Sequence, residues 1–413
     1  MKTVLLVAYH FPPQMGSSGL LRSLKFCHYL PETGWLPVVL SVHPRAYEWV
    51  DDGQLSEIPP EVTVLRTFAL DTRRHLAVRG HYIGWMALPD RWVSWCLSAV
   101  PIGLSTLYRK RVDVILTTFP IATAVLIGWI LHALTGKPWI VDFRDSMTED
   151  AYPRDPLTRR VYRWIERQAV RRAERLIFTA PSTVRMYLKR YPWLRPEMCL
   201  LIPNGYDEED FQGLVFPESG SSHVGRPIRL LHLGLLYPEE RDPRPFFNAL
   251  ARLKREGQVN GGTLRIDLRA SGCEGLYSQM IGEMAIEDMV RLLPALPYRQ
   301  ALQDGADADG LLLFQAACCD HQIPAKGYEY LRLGKPIFAL TTETGDTAAL
   351  LKDVGGATIV DLADAEAICR SLPLFLDSLR NGQHRLPDPQ KVLHYSRKTQ
   401  AQELAACFAG LRS

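Results

Sequence analysis

Lys326 and Glu329 stand three residues apart in Pro324-Ala-Lys-Gly-Tyr-Glu-Tyr-Leu-Arg-Leu-Gly-Lys-Pro336. On a helix such a pair shares a face. A helix N-terminus beside a lysine suits a phosphate, and a carboxylate one turn on accepts hydrogen bonds from a sugar's hydroxyls. Tyr330, Leu331 and Leu333 can pack inward, Gly334 can end the helix, and residues 336–340 restart as a buried strand. This is a nucleotide-sugar site in outline. Taken alone, such a pattern more commonly marks an ordinary helix–strand unit with a surface Lys–Glu pair.

Three other clusters follow apolar runs that read as strands. Tyr9-His10-Phe-Pro-Pro-Gln-Met precedes the turn Gly16-Ser17-Ser18-Gly19 and a helical run that includes Arg22. Backbone N–H groups of such a loop can approach a phosphate or sugar closely, although a tight strand-to-helix turn has the same composition. The loop is neither a Walker loop nor the glycine fingerprint of dinucleotide binding, which argues against a dehydrogenase. Asp142, Arg144 and Asp145 cluster after another strand, where they could bind hydroxyls or take a proton, or form a surface ion pair that caps a helix. Gly234, Tyr237 and Arg241 repeat the layout of the opening loop, and Arg241 could neutralise a diphosphate together with Lys326. Asp307-Ala-Asp309 has the look of a metal-binding pair but abuts an apolar strand, so no metal is assigned.

These clusters need a scaffold, and the chain supplies one. At 413 residues it is long enough for two domains of about 200 residues each. Apolar runs at 4–8, 38–42, 62–65, 114–118, 139–142 and 176–179 alternate with helical patterns, and 228–233, 264–270, 290–292, 310–314, 337–340 and 357–360 repeat the rhythm. That is the signature of α/β domains with doubly wound parallel sheets. The expected organisation is an N-terminal Rossmann-like domain at 1–207, a Gly/Ser-rich linker at 208–227, a C-terminal Rossmann-like domain at 228–390 and a docked final helix at 391–413. Helical segments are expected at 363–380 and 391–411.

A net charge of +3 argues against a dedicated nucleic-acid binder. The eight cysteines form no Cys-x-x-Cys pair, so neither a zinc site nor a disulfide scaffold is indicated and a reduced, cytoplasmic compartment fits. The apolar stretches 92–108 and 121–134 are short for membrane spans. The second reads as a buried crossover helix. Near the first, Trp85, Trp92 and Trp95 with Arg91 and Arg109 make either an aromatic and basic face resting on a bilayer or ordinary core. Arg159, Arg163, Arg167 and Arg171 recur every fourth residue, as either an anionic-lipid surface or a solvated face paired with Glu166 and Glu174.

In this order, Phe-Pro-Pro…Gly16-Ser-Ser-Gly19…Arg22, Asp142-Phe-Arg-Asp145, Ile202-Pro-Asn-Gly-Tyr-Asp207, Gly234…Arg241-Asp-Pro and Lys326-Gly-Tyr-Glu329-Tyr-Leu…Gly334-Lys-Pro336 resemble the family-4 glycosyltransferases, notably the bacterial branch that builds surface polysaccharides. The resemblance spans nearly the whole chain. It implies the GT-B fold, two Rossmann-like domains facing across a cleft, and a retaining, metal-independent hexosyl transfer with no cofactor. The donor is expected to be a nucleotide-sugar, UDP- or GDP-linked, and the acceptor a glycan or lipid-linked glycan. A peripheral position on the inner face of the plasma membrane is part of this expectation.

By the resemblance Glu329 holds the ribose and Tyr330 and Gly234 belong to the donor site, while Arg241 and Lys326 take the diphosphate. Gly16 to Gly19 would close over the phosphates from the other domain. Asp145 and Asp142 are the candidates to orient the acceptor, ahead of His10. Eight positions before Glu329, where many members have an acidic donor-sugar contact, stands His321, next to Asp320. That departure admits a degenerate, non-catalytic sugar-nucleotide binder or scaffold, and the fold admits a nucleotide-sugar epimerase.

Overall fold

The computed structural model describes residues 1–15, 19–150, 152–216 and 225–411. The chain forms two compact units: one is Met1–Pro203 with Arg397–Ser413, the other Asn204–Ser396.

The first unit is built on a seven-stranded sheet, in chain order β1 Lys2–Val7, β2 Trp35–Val42, β3 Thr63–Thr67, β4 Val114–Phe119, β5 Trp139–Phe143, β6 Arg175–Phe178 and β7 Cys199–Leu201. Its spatial order is β3-β2-β1-β4-β5-β6-β7, and every pairing is parallel. In register, Leu5 of β1 lies beside Val38 of β2 and Ile115 of β4. Because crossover helices cover both faces, these strands run as near-continuous apolar stretches rather than alternating ones. One face is packed by Trp95, Ile127, Leu131 and Ile165, the other by Leu20, Leu24, Phe408 and Leu404. β7 escaped the sequence reading because three half-exposed residues at a sheet edge carry almost no pattern.

The second unit carries a six-stranded sheet: β8 Ile228–Leu233, β9 Leu264–Arg269, β10 Val290–Leu293, β11 Gly310–Phe314, β12 Ile337–Leu340 and β13 Ala357–Val360. Its order is β10-β9-β8-β11-β12-β13, again parallel throughout. The strand order reverses between β8 and β11, and in open sheets of this kind ligands bind beyond the carboxyl ends at that reversal. Both sheets are the doubly wound type expected from the sequence.

Several local expectations are corrected. Residues 208–216, expected as linker, are built into the second unit: Glu208–Phe211 is a short helix, Phe211 is buried, and Glu208 accepts a bidentate ion pair from Arg332. Residues 217–224 lie outside the described residues. The single helix expected from 391 is two, Pro389–Leu393 in the second unit and Arg397–Ala409 in the first. The latter lies against helix Gly19–Tyr29, with Phe408 edge-on to Trp35 at 4.9 Å and Lys398 paired to Glu32 at 2.7 Å.

Trp95 is fully buried and donates to Thr67 Oγ1, so the tryptophans do not form one surface face; of the three only Trp85 is exposed. Glu166 is not a partner of the arginine stripe. It is buried, accepting from Arg190, Tyr187, Tyr191 and Thr148. The residues 121–134 do form a crossover helix, Ala122–Thr135, packed on β4. Among the described residues no helix is long and apolar enough to cross a membrane.

Candidate functional site

In the second unit, Lys326 and Glu329 lie on helix Ala325–Leu333, at the β8/β11 reversal. Pro324 precedes the helix, which has no acidic residue in its first turn to neutralise the positive end of the dipole, and Gly334 closes it in a left-handed conformation. Tyr328, Tyr330, Leu331 and Leu333 are its buried face.

Lys326 leans over the end of β8. Its ammonium lies 3.1 Å from His232 Nε2, and a Cβ on Gly234 would sit 3.2 Å from it. Gly234 also has a φ of +95°, so this position favours glycine on two counts. His232 is completely buried, and its Nδ1 lies 2.8 Å from the Leu312 carbonyl. A carbonyl only accepts, so Nδ1 carries the proton and Nε2 presents a lone pair to Lys326. Burial first, then the charge of Lys326, hold His232 well below the usual imidazole range, which keeps it neutral. Burial, and then Arg241, bring Lys326 down to about 7, while Glu329 acts in the opposite direction.

Arg241 is tied to its own loop. It donates to the Leu235 carbonyl at 3.1 Å and lies over the Tyr237 ring at 5.3 Å. Glu329 accepts from the Tyr298 hydroxyl at 2.7 Å. Tyr330, expected in the donor site, is instead a brace: it is buried, and its hydroxyl accepts from Leu233 N–H at 2.8 Å, fixing the strand end from which Gly234 departs. His321 follows the short turn after β11, 3.3 Å from the Gln322 amide nitrogen, and Asp320 accepts from Thr342 at 2.5 Å. The structure thus brings Lys326, Gly234, Arg241 and Glu329 to one strand edge.

In the first unit, Asp142 corrects another expectation. Both its oxygens are taken by Arg22, at 2.8 and 3.0 Å, and the pair is buried. Arg22 also donates to the Ile202 and Pro203 carbonyls, so the pair ties helix Gly19–Tyr29 to β5 and the chain after β7. Asp142 is buried against Arg22 and braces the fold. Asp145, two residues past the end of β5, is exposed. Arg144 is buried and donates to the Phe119 and Gly19 carbonyls. A Cβ on Gly19 would strike its guanidinium, which explains the glycine. His10 is lowered to about 3 by burial and by Arg144. Gly16, Ser17 and Ser18 lie outside the described residues.

Two site residues were missed in the sequence. Tyr298 is 31 positions from Glu329 and carries no local signal. His232 was legible only as a polar residue inside the apolar run Ile228-Arg-Leu-Leu-His-Leu233. Among the described residues no group of three or more His, Cys, Asp or Glu side chains is gathered so as to hold a metal ion.

Residues 22–205 match the family model of the glycosyl transferase 4-like domain. The match falls almost wholly within the first unit. No curated protein matches the chain by sequence. Among solved structures, the chain resembles HepE of Anabaena, solved in complex with UDP, at 15% identity, full coverage of both chains and a TM-score of 0.68. It resembles sucrose-phosphate synthase of Thermosynechococcus elongatus at 14% identity, covering 99% of this chain and 98% of that one, with a TM-score of 0.66. It also resembles UDP-GlcNAc 2-epimerase of Methanocaldococcus jannaschii at 11% identity, covering 99% and 100%, with a TM-score of 0.55. These likenesses establish the GT-B fold.

Proposed function

We propose that the chain is a retaining, metal-independent glycosyltransferase that moves a hexosyl group from a nucleotide-sugar to a glycan or lipid-linked acceptor in bacterial surface-polysaccharide synthesis. The observation that carries the reading is Lys326, a half-desolvated cation held on a neutral histidine at the N-terminus of helix Ala325–Leu333. Such a site gains by taking a dianionic diphosphate, which restores the lysine's charge and meets the helix dipole.

Glycosyl transfer develops negative charge on the departing diphosphate. Lys326, Arg241 and the first N–H groups of the helix would stabilise that charge with groups already in place, which is the efficient way to lower such a barrier. Glu329 would accept from the ribose hydroxyls, its carboxylate oriented by Tyr298. The cations do here what a divalent ion does elsewhere, so no resident metal is part of the proposal. UDP is favoured as the carrier by the UDP-bound state of HepE.

The exposed Arg160, Arg163, Arg167 and Arg171 with half-exposed Trp164 support a cytoplasmic enzyme that rests on anionic lipid. Arg167 and Arg171 both lie over the Trp193 ring, at 5.6 and 5.5 Å, which adds aromatic surface to that face.

The test is thermal stabilisation by UDP-, GDP-, ADP- and dTDP-sugars, with Glu329→Ala as control. A ligand that binds only the folded chain raises its melting temperature. A selective shift that is lost in the variant supports the reading, and no shift with any of the four counts against it. Conversion of a UDP-sugar to its epimer without an acceptor would favour an epimerase instead.

A further inference from the structure

Cys318 and Cys319 are adjacent in the chain and sit in the short turn Ala317–Cys319 that follows β11. Their sulfurs are 3.8 Å apart. Cys318 is the one exposed cysteine of the eight, while Cys319 is half-buried. Two thiols so placed can act together: one meets an incoming oxidant and the other resolves the product.

The turn is tied to the loop that carries Arg241. Ala316 N–H donates to the Glu240 carbonyl at 2.7 Å, and Cys318 gives its S–H to the Glu239 carbonyl at 3.8 Å. A carbonyl only accepts, so the Cys318 proton is committed there and Cys319 turns its own S–H toward the Cys318 sulfur. On the other side the Gln315 amide nitrogen donates to the Cys319 carbonyl at 2.7 Å and to the Gln322 carbonyl at 2.9 Å, and the chain then enters helix Ala325–Leu333. A change of shape in this turn therefore reaches the elements that hold Arg241 and Lys326.

The two thiols differ in readiness. Burial, then Cys318 and Glu240, push the Cys319 thiol up to about 12, with Arg241 acting the other way. Cys319 thus stays protonated until Cys318 has become a disulfide sulfur that it can attack. Exposure makes Cys318 the residue that an external disulfide meets first.

We propose that Cys318 and Cys319 are a reversible redox pair that closes into a vicinal disulfide by exchange with a small-molecule disulfide such as oxidised glutathione, and that closure weakens nucleotide-sugar binding. Cys318 attacks one sulfur of glutathione disulfide: a bond from Cys318 to glutathione forms, the glutathione S–S bond breaks, and one glutathione leaves with the Cys318 proton. Cys319 then attacks the Cys318 sulfur, its proton passes to the second departing glutathione, and the new S–S bond closes. The cysteines lose two electrons and two protons, and glutathione disulfide gains both. Closure draws the sulfurs from 3.8 Å to about 2.05 Å and takes away the S–H that Glu239 accepts. Adjacent Cα atoms lie about 3.8 Å apart, closer than an unstrained disulfide prefers, so reducing thiols reopen the bond readily, as they do regulatory disulfides. The effect on nucleotide-sugar binding rests on the transferase reading; the thiol chemistry does not.

The test is mass spectrometry of the full chain after treatment with oxidised glutathione and alkylation of the remaining thiols. Stabilisation by UDP-, GDP-, ADP- and dTDP-sugars is measured on the same samples before alkylation. A bond between Cys318 and Cys319, lighter than the reduced pair by two hydrogens and reopened by dithiothreitol, is expected. The nucleotide-sugar concentration that gives half the melting shift should rise about tenfold on closure, as loss of one hydrogen bond from Arg241 to a charged phosphate does. Cys319→Ser should stop at the glutathione adduct of Cys318. Cys318→Ser, which keeps a donor for Glu239, should form neither product and respond to nucleotide-sugar as the reduced parent does, with or without oxidant. A glutathione adduct that persists in the parent, a disulfide between two chains, or equal response of the closed and open forms would overturn the inference. Nucleotide-sugar stabilisation without any Cys318–Cys319 bond sinks the redox pair alone. Closure of that bond with no stabilisation by any of the four nucleotide-sugars in either form sinks the transferase reading and the coupling to it, and leaves a redox modification site.

Discussion

Each unit buries a cation near a strand edge, and the two are treated in opposite ways. Arg22 meets a carboxylate with both oxygens and two carbonyls besides, so its charge and four of its five N–H donors are answered within the chain. Lys326 meets a neutral imidazole, with burial and then Arg241 pushing its proton off and Glu329 acting in the opposite direction. The first arrangement is finished without a ligand. The second is left incomplete, which is what a site for an anion requires. Residue type alone does not separate structure from function here; the partner does.

The comparison breaks most visibly at Asp142. Asp142→Asn would leave Arg22 buried and unpaired, at a cost of about 3–5 kcal/mol. Chemical denaturation should read that loss, while nucleotide-sugar affinity of the molecules that remain folded stays unchanged. Lys326→Met is expected to act in reverse, lowering turnover by about tenfold or more while stabilising the unliganded fold. Kinetics and melting temperature on the same preparation would show both signs. Retention of full turnover would remove the lysine from the leaving-group site. Arg241→Ala should also lower turnover by about tenfold.

The pH dependence sharpens the same contrast. Lys326 is lowered from its unfolded value to about 7, so the folded state holds fewer protons than the unfolded state above that pH. Stability contributed at this position is therefore lowest below pH 7 and rises as pH climbs from 7 toward 10. Unfolding curves should show this rise in the parent and lose it in Lys326→Met. His232→Phe is expected to have the smallest effect, a shift in the pH optimum and in KM for the nucleotide-sugar rather than loss of fold, since it removes only the group that positions the ammonium.

The strands were readable because sheets covered on both faces leave continuous apolar runs, and most strands fell within a residue or two of expectation. The helix carrying Lys326 and Glu329 was readable because its start, its inward face and its terminal glycine are all local signals. Asp142 was misread because its partner is 120 residues away, and no local pattern says that a carboxylate is already spent. Tyr330 packs inward as its place on the helix predicts, and it is this burial that makes its hydroxyl a brace for the end of β8. His232 depends on partners 80 and 94 residues away, the Leu312 carbonyl and Lys326, which is tertiary information.

The central claim is that Lys326 waits for a diphosphate. Calorimetric titration of UDP-glucose, with GDP-mannose as the second probe, at pH 7.5 in buffers of different ionisation enthalpy measures the protons taken up on binding. Neither ligand titrates in this range itself, and a lysine lowered to about 7 must regain its proton beside a dianion. Uptake of a substantial fraction of one proton is expected, abolished in Lys326→Met. Binding without proton uptake, uptake that survives in Lys326→Met, or no binding of either ligand would contradict it.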